Sequence, residues 1–239
     1  MIISHKHRYL FVELPRTGTT AISRELCEKY DGEAILKKHA TYEDFLRSPE
    51  GKNRRDYYTF SCIRHPMDKA VSLYYKYKTD HRSYYSSGRR KGKDNWIVRM
   101  QQSSQFKFIS STNADFSDYF MRYFWIPYDD WSILSHDIFN RIIRFEALDE
   151  GLSKVLGDLD IEQVRPLPRK NITGSRAEDF YKYYPKRTRQ RAKWIFGPYM
   201  KTWGYSCPPD WEMGGVGFIN KLVYKTANAF RSLYWRYYR

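Results

Sequence analysis

One arginine, three threonines and a glycine, in the order Arg16-Thr17-Gly18-Thr19-Thr20, are suited by type and spacing to grip an anion. They follow a hydrophobic, β-favouring run (Tyr9, Leu10, Phe11, Val12, Leu14) that halts at Pro15, and helix-forming residues continue from them to Tyr30. The pattern predicts strand, tight loop, helix. In that arrangement the loop N–H groups and the first N–H groups of the helix converge on one point, which favours a phosphate-like or sulfate-like group. Gly18 lets the backbone close in, the threonines add hydroxyl donors, and Arg16 supplies a charge that can fork across two oxygens.

Two further segments carry reactive residue types. Lys37-Lys38-His39-Ala40-Thr41 precedes a helix expected to start near Tyr42, because Thr41 and Asp44 have capping-box spacing. His39 is therefore expected at the end of a short strand formed by residues 33–36, at the ligand-binding edge of a parallel sheet; a solvated surface histidine is the plainer alternative. The run Tyr57 to Ile63 reads as a strand that ends in Arg64-His65-Pro66, with helical spacing at Ala70, Leu73, Tyr74 and Tyr77. Arg64 then leaves a strand tip and Ser72 lies about two turns into the helix, where both could reach a second anionic group. Taken singly, they read as an ion-pair residue and a helix filler.

The elements that must hold these residues alternate. Residues 140–146 form another apparent buried strand, followed by a helix from Ala147 to Leu156 that Gly157 would stop. Repeated strand-helix alternation predicts an α/β fold with a central parallel sheet flanked by helices, and excludes a helical bundle or β-sandwich. Residues 81–107, with Gly, Ser and the cations Arg89, Arg90, Lys91 and Lys93, read as a loop or flap suited to an acidic acceptor. The aromatic-rich residues 115–135 read as core helix and turn, residues 165–174 as a rigid basic loop, and Lys186 to Met200 as a helix.

A chain of 239 residues fits one α/β domain, or a domain with a tail, better than two domains. Forty-two Lys and Arg against 27 Asp and Glu give a net charge of +15, which favours a polyanionic partner without choosing among nucleotide, acidic glycan, nucleic acid and anionic membrane. The 22 tyrosines could equally fill a core or stack on bases and sugars. Cys27, Cys62 and Cys207 have neither disulfide-framework nor zinc spacing, so a reducing, cytoplasmic setting is expected. The first residues show no signal peptide or membrane anchor, and the sequon at Asn171 carries no weight without one.

Residues 216–239 contain Lys221, Lys225, Arg231, Arg236 and Arg239 and no acid. Ile219, Leu222, Val223, Phe230, Leu233 and Tyr237 fall on one helical face, the pattern of an interfacial helix. Packing on the domain or on a partner subunit is the competing expectation.

The segment Pro15 to Thr20 resembles the phosphosulfate-binding loop of sulfotransferases, with Arg16 where that family usually has Lys, and Phe60 to Tyr75 resembles their second signature. Arg141 to Leu152 is similar to the family's Arg-aromatic-Glu strand-helix segment. Lys37 to Phe45 resembles the histidine segment of the heparan sulfate 2-O-sulfotransferase branch and related bacterial enzymes. Order and spacing agree over residues 8–205, so the expected organisation is a sulfotransferase domain of P-loop-NTPase-like three-layer fold at 1–210 and a basic amphipathic tail at 211–239.

The resemblance implies transfer of a sulfuryl group from 3′-phosphoadenosine 5′-phosphosulfate to an acceptor hydroxyl, without metal. By carry-over, Arg16, Thr17, Gly18, Thr19 and Thr20 hold the 5′-phosphosulfate, Arg64 and Ser72 the 3′-phosphate, and Arg169, Lys170 and Asn171 close over the nucleotide. His39 is the implied general base, and Arg16 the cation that meets charge on the departing nucleotide. Carbohydrate is the favoured acceptor class and a glycolipid headgroup the next; phenols and tyrosyl peptides stay open. A P-loop kinase is disfavoured because GxxxxGK[ST] is absent. A non-enzymatic RNA or polyanion binder is the other rival, supported by charge but by no RNA-binding signature.

Overall fold

The computed structural model describes residues 1–80, 83–87, 96–127, 138–168, 180–209, 211 and 217–237. The chain groups into two compact units, one of residues Met1–His65, Asp129–Ser175 and Asn228–Arg239, the other of Pro66–Tyr128 and Arg176–Ala227.

The first unit is built on a five-stranded sheet in the order β3-β1-β2-β4-β5, with β1 Ile2–Ser4, β2 Tyr9–Val12, β3 Glu33–Ala34, β4 Tyr58–Ile63 and β5 Arg141–Arg144. The three strands β2, β4 and β5 are parallel, as the alternation predicts. β1 departs from the expectation, running antiparallel to both β2 and β3. Only the turn His5 to Arg8 joins β1 to β2, and so short a connection reverses the chain; a parallel neighbour needs a long crossover. The sheet is thus mixed, with a parallel core and an antiparallel edge.

Side-chain alternation gives the sheet two buried faces. Tyr9, Phe11, Phe60, Cys62 and Ile143 point to one, where they pack with Ile22 and Leu26 of α1 (Thr19–Lys29) and Leu152, Val155 and Leu156 of α6 (Leu148–Asp158). Ile3, Leu10 and Val12 point to the other, against Tyr42 and Phe45 of α2 (Tyr42–Arg47). Helices on both faces of a largely parallel sheet make an α/β three-layer unit consistent with a P-loop-like fold. The Thr41–Asp44 capping box forms in both directions, at 2.7 and 3.2 Å, and starts α2 where the sequence places it. Gly157 does not stop α6, which continues to Asp158.

The second unit is helical: α3 (Pro66–Lys78), α4 (Trp96–Thr112), α5 (Phe116–Tyr123) and α7 (Lys186–Thr202). Its core is aromatic, with Tyr74, Tyr77, Phe116, Tyr119, Phe120, Tyr184 and Phe196 buried together. Two of these tyrosines stay satisfied by donating to main-chain carbonyls, Tyr184 to Met67 and Tyr74 to Ala114, each at 2.9 Å. Much of the tyrosine content is therefore core.

The expected loop at 81–107 is corrected here, because residues 96–112 form α4. Phe106 and Ile109 pack into the aromatic core, and that contact outweighs the polar composition. Arg89, Arg90, Lys91 and Lys93, together with Arg169, Lys170 and Asn171, lie outside the described residues. A final helix, α8, spans Phe218–Tyr237. Among the described residues, no helix is long and apolar enough to cross a membrane.

Candidate functional site

The loop between β2 and α1 has alternating backbone handedness: Arg16 (φ 65°) and Gly18 (φ 75°) are left-handed, while Thr17 between them is not. Alternation of this kind is what turns successive N–H groups toward one point in backbone anion nests. A left-handed arginine costs on the order of 1–3 kcal/mol and persists only where its surroundings hold it. Gly18 is the N-cap of α1, with no side-chain cap, and the helix has no acid in its first turn. The positive end of the helix dipole is therefore not neutralised by its own sequence.

Gly18 is also hemmed in from behind. A Cβ there would lie 2.5 Å from Leu148 Cδ1 and 3.0 Å from Phe145 Cδ2. Any larger residue here would have to displace the Leu148 side chain, in addition to paying for the left-handed φ.

The threonines divide their work differently from the expectation that all three hydroxyls face an anion. Thr17 and Thr19 are buried and donate to the Leu14 carbonyl, at 3.2 and 2.9 Å. A hydroxyl has one hydrogen, so these two brace the loop and leave donation outward to the backbone. Thr20 is exposed and accepts from Lys38 Nζ at 3.3 Å, which brings a second cation to the start of α1.

Arg64 follows the tip of β4, as predicted. Its guanidinium donates to the Arg16 carbonyl at 3.3 Å and stacks on the Phe145 ring, 4.1 Å from the centroid. A lysine would keep a cation near the ring but not the guanidinium that also reaches the Arg16 carbonyl. Glu146, next to Phe145, accepts from the His65 N–H at 2.8 Å and ties the strand tip to the segment after β5.

His39 is not at the end of a strand: β3 stops at Ala34, and His39 sits in the following turn with φ 63°. The turn nevertheless returns the half-buried ring to the anion loop, where Nδ1 lies 3.2 Å from the Glu13 carbonyl. A carbonyl can only accept, so Nδ1 carries the hydrogen and Nε2 holds the lone pair. Burial lowers the His39 pKa from its ordinary 6.5, outweighing the opposite pull of the Glu13 carbonyl and carboxylate. The neutral, proton-accepting form is therefore favoured near neutral pH.

Glu13 was not singled out by the sequence reading. Its buried carboxylate accepts from the Met1 ammonium at 2.9 Å and from Ser23 at 2.8 Å. Burial would raise its pKa, but these donors outweigh burial and hold it below the ordinary value. A carboxylate in the middle of an apolar strand-loop junction is the signal that could have found it.

Of the other sequence-predicted positions, Ser72 lies on α3 of the second unit and is half-buried. Arg16, Thr17, Gly18, Thr19, Thr20, His39 and Arg64 all belong to the first unit, gathered where β2 and β4 end. Among the described residues, no group of three or more His, Cys, Asp or Glu side chains could hold a metal ion.

A parallel-cored α/β unit with helices on both faces, in which β2 delivers the chain into the start of α1, has the architecture of P-loop-like α/β proteins. A family model described as the sulfotransferase family matches residues 1–205, and the chain belongs to that family. It is a transferase of sulfuryl groups. Neither a curated protein nor a solved structure matches the chain significantly.

Proposed function

We propose that the protein transfers the sulfuryl group of 3′-phosphoadenosine 5′-phosphosulfate to a hydroxyl of a carbohydrate acceptor, with His39 as general base. The observation that carries this reading is the His39 ring held on the carbonyl of Glu13, three residues before Arg16, at 3.2 Å, which leaves Nε2 as the basic nitrogen. The residues fit the donor chemically. The uncapped start of α1, the left-handed loop and Arg16 supply N–H groups and charge for a phosphosulfate, and Arg64 supplies the cation for a second phosphate.

When bound, the donor supplies an activated sulfur that an alcohol oxygen can attack. His39 Nε2 takes the acceptor hydroxyl proton as the new O–S bond forms and the bond to the bridging oxygen breaks. Arg16 and the α1 N–H groups stabilise the charge left on that oxygen. Arg16 acts by charge and hydrogen bonding and not as an acid, since a guanidinium keeps its proton up to a pH of about 12. A positioned base contributes about 100- to 10,000-fold, and the remaining acceleration comes from alignment and charge stabilisation.

Ser72 is assigned to the 3′-phosphate, and Arg169, Lys170 and Asn171 to closure over the nucleotide, on resemblance alone. The catalytic part is assigned to residues 1–210 and the tail to 211–239. Carbohydrate is preferred as acceptor for the likeness around His39 and the charge of +15, with a glycolipid headgroup next.

The test is a transfer assay with labelled donor against glycans, glycolipids and phenols, beside binding of adenosine 3′,5′-bisphosphate and AMP. Transfer to a glycan that disappears in His39→Ala, with the bisphosphate preferred over AMP, is the expected result. Transfer only to phenols overturns the acceptor assignment, and full activity in His39→Ala overturns the base.

A further inference from the structure

Helix α8 is turned inside out relative to an ordinary surface helix. Phe218, Ile219, Leu222, Phe230 and Leu233 share one side and are 80, 69, 54, 68 and 49 % exposed. On another side Asn220 is 4 % exposed and donates to the Trp194 carbonyl at 3.0 Å. An amphipathic helix that served only its own domain would bury the first set and expose the second. Asn220 ties the start of α8 to α7 while these apolar side chains are left exposed on the other side, an arrangement normally associated with an interaction site.

The charges identify what covers the stripe. Lys221 and Lys225 are exposed along one edge of it, and residues 213–239 contain no Asp or Glu. Two copies packed stripe to stripe would bring these cations together with no acid to offset them, within a molecule already at +15. An anionic lipid surface satisfies both halves of the pattern: apolar side chains enter the acyl boundary and the lysines remain among anionic headgroups. The sequence continues as Tyr234-Trp235-Arg236-Tyr237-Tyr238-Arg239, a composition that favours the membrane–water interface.

We propose that α8 docks the protein peripherally on an anionic membrane, lying in the interface plane with Phe218, Ile219, Leu222, Phe230 and Leu233 inserted.

The experiment is co-sedimentation of the full chain with phosphatidylcholine vesicles, with and without a minority of phosphatidylglycerol, alongside light scattering of the protein alone. Circular dichroism melting confirms that each variant is folded. The expected result is uptake by the anionic vesicles only. Each lysine near such a surface is worth about five-fold in affinity, so Lys221→Gln with Lys225→Gln should weaken uptake roughly 25-fold. Leu222→Glu with Phe230→Glu, at two exposed side chains, should abolish it. No uptake by anionic vesicles overturns the proposal, as does equal uptake by both vesicle types. Unchanged uptake by the Leu222→Glu, Phe230→Glu variant would reduce the effect to plain charge attraction. A dimer that this variant dissociates, with no vesicle uptake, would assign the stripe to a second copy.

Discussion

His39 donates its Nδ1 hydrogen to the main-chain carbonyl of Glu13, three residues ahead of Arg16, across 3.2 Å. This bond sets the tautomer of an imidazole that the turn after β3 brings against the end of β2. Because the acceptor is backbone, no side-chain substitution at position 13 removes it directly.

The pH profile follows from that environment. Burial lowers the His39 pKa below 6.5, so the base is neutral and active above that lowered value and is lost by protonation below it. The acid limb of kcat/KM should therefore have its midpoint below 6.5 and be level through neutrality. His39→Ala should lower kcat about 100- to 10,000-fold while leaving adenosine 3′,5′-bisphosphate affinity unchanged in calorimetry. A midpoint above 6.5 would contradict the burial argument.

Arg16 and Arg64 should behave in the opposite way. A charge-assisted hydrogen bond contributes about 1.5–3 kcal/mol, so Arg16→Ala should weaken nucleotide binding roughly 10- to 100-fold as well as abolish turnover. Arg64→Lys keeps the charge but loses the stack on Phe145 and the planar reach to the Arg16 carbonyl. It should therefore weaken binding nearly as much as Arg64→Ala. Normal calorimetric affinity in Arg16→Ala would show that the loop binds through backbone alone.

At Gly18 a single methyl group meets both a left-handed backbone and a neighbouring side chain. Alanine would pay roughly 1–2 kcal/mol for the left-handed backbone, and its Cβ would also meet Leu148 Cδ1 at 2.5 Å. Gly18→Ala should lower the melting temperature and nucleotide affinity together. Gly18→Ala combined with Leu148→Ala should recover part of the stability, by relieving the clash and not the strain, as thermal melts would show.

Glu25 is a buried carboxylate on α1 that Arg165 grips with two nitrogens, Nε at 2.9 Å and Nη2 at 2.8 Å, while also reaching Glu28 at 3.0 Å. Removing the arginine strands a charge in the core, whereas removing both charges does not. Arg165→Leu should therefore destabilise the fold clearly in urea titration, and Glu25→Leu with Arg165→Leu should be closer to wild type. A double variant less stable than the single one would refute this account.

The residue order alone determined the local units: an apolar run ending at Pro15, a glycine before a helix, an arginine at a strand tip before Pro66, and a capping box at Thr41. Each is set by short-range propensity and hydrogen bonding, which neighbouring residues specify. It also determined the α/β class, since strand-helix alternation leaves few ways to bury both faces of a sheet. Tertiary structure decided the rest. Antiparallel β1, the helical state of residues 96–112 and the return of His39 to Glu13 depend on partners far along the chain. So do the inward donation of Thr17 and Thr19 to Leu14 and the outward apolar face of α8. A side chain's type states which bonds it can make, and only packing chooses which one it makes.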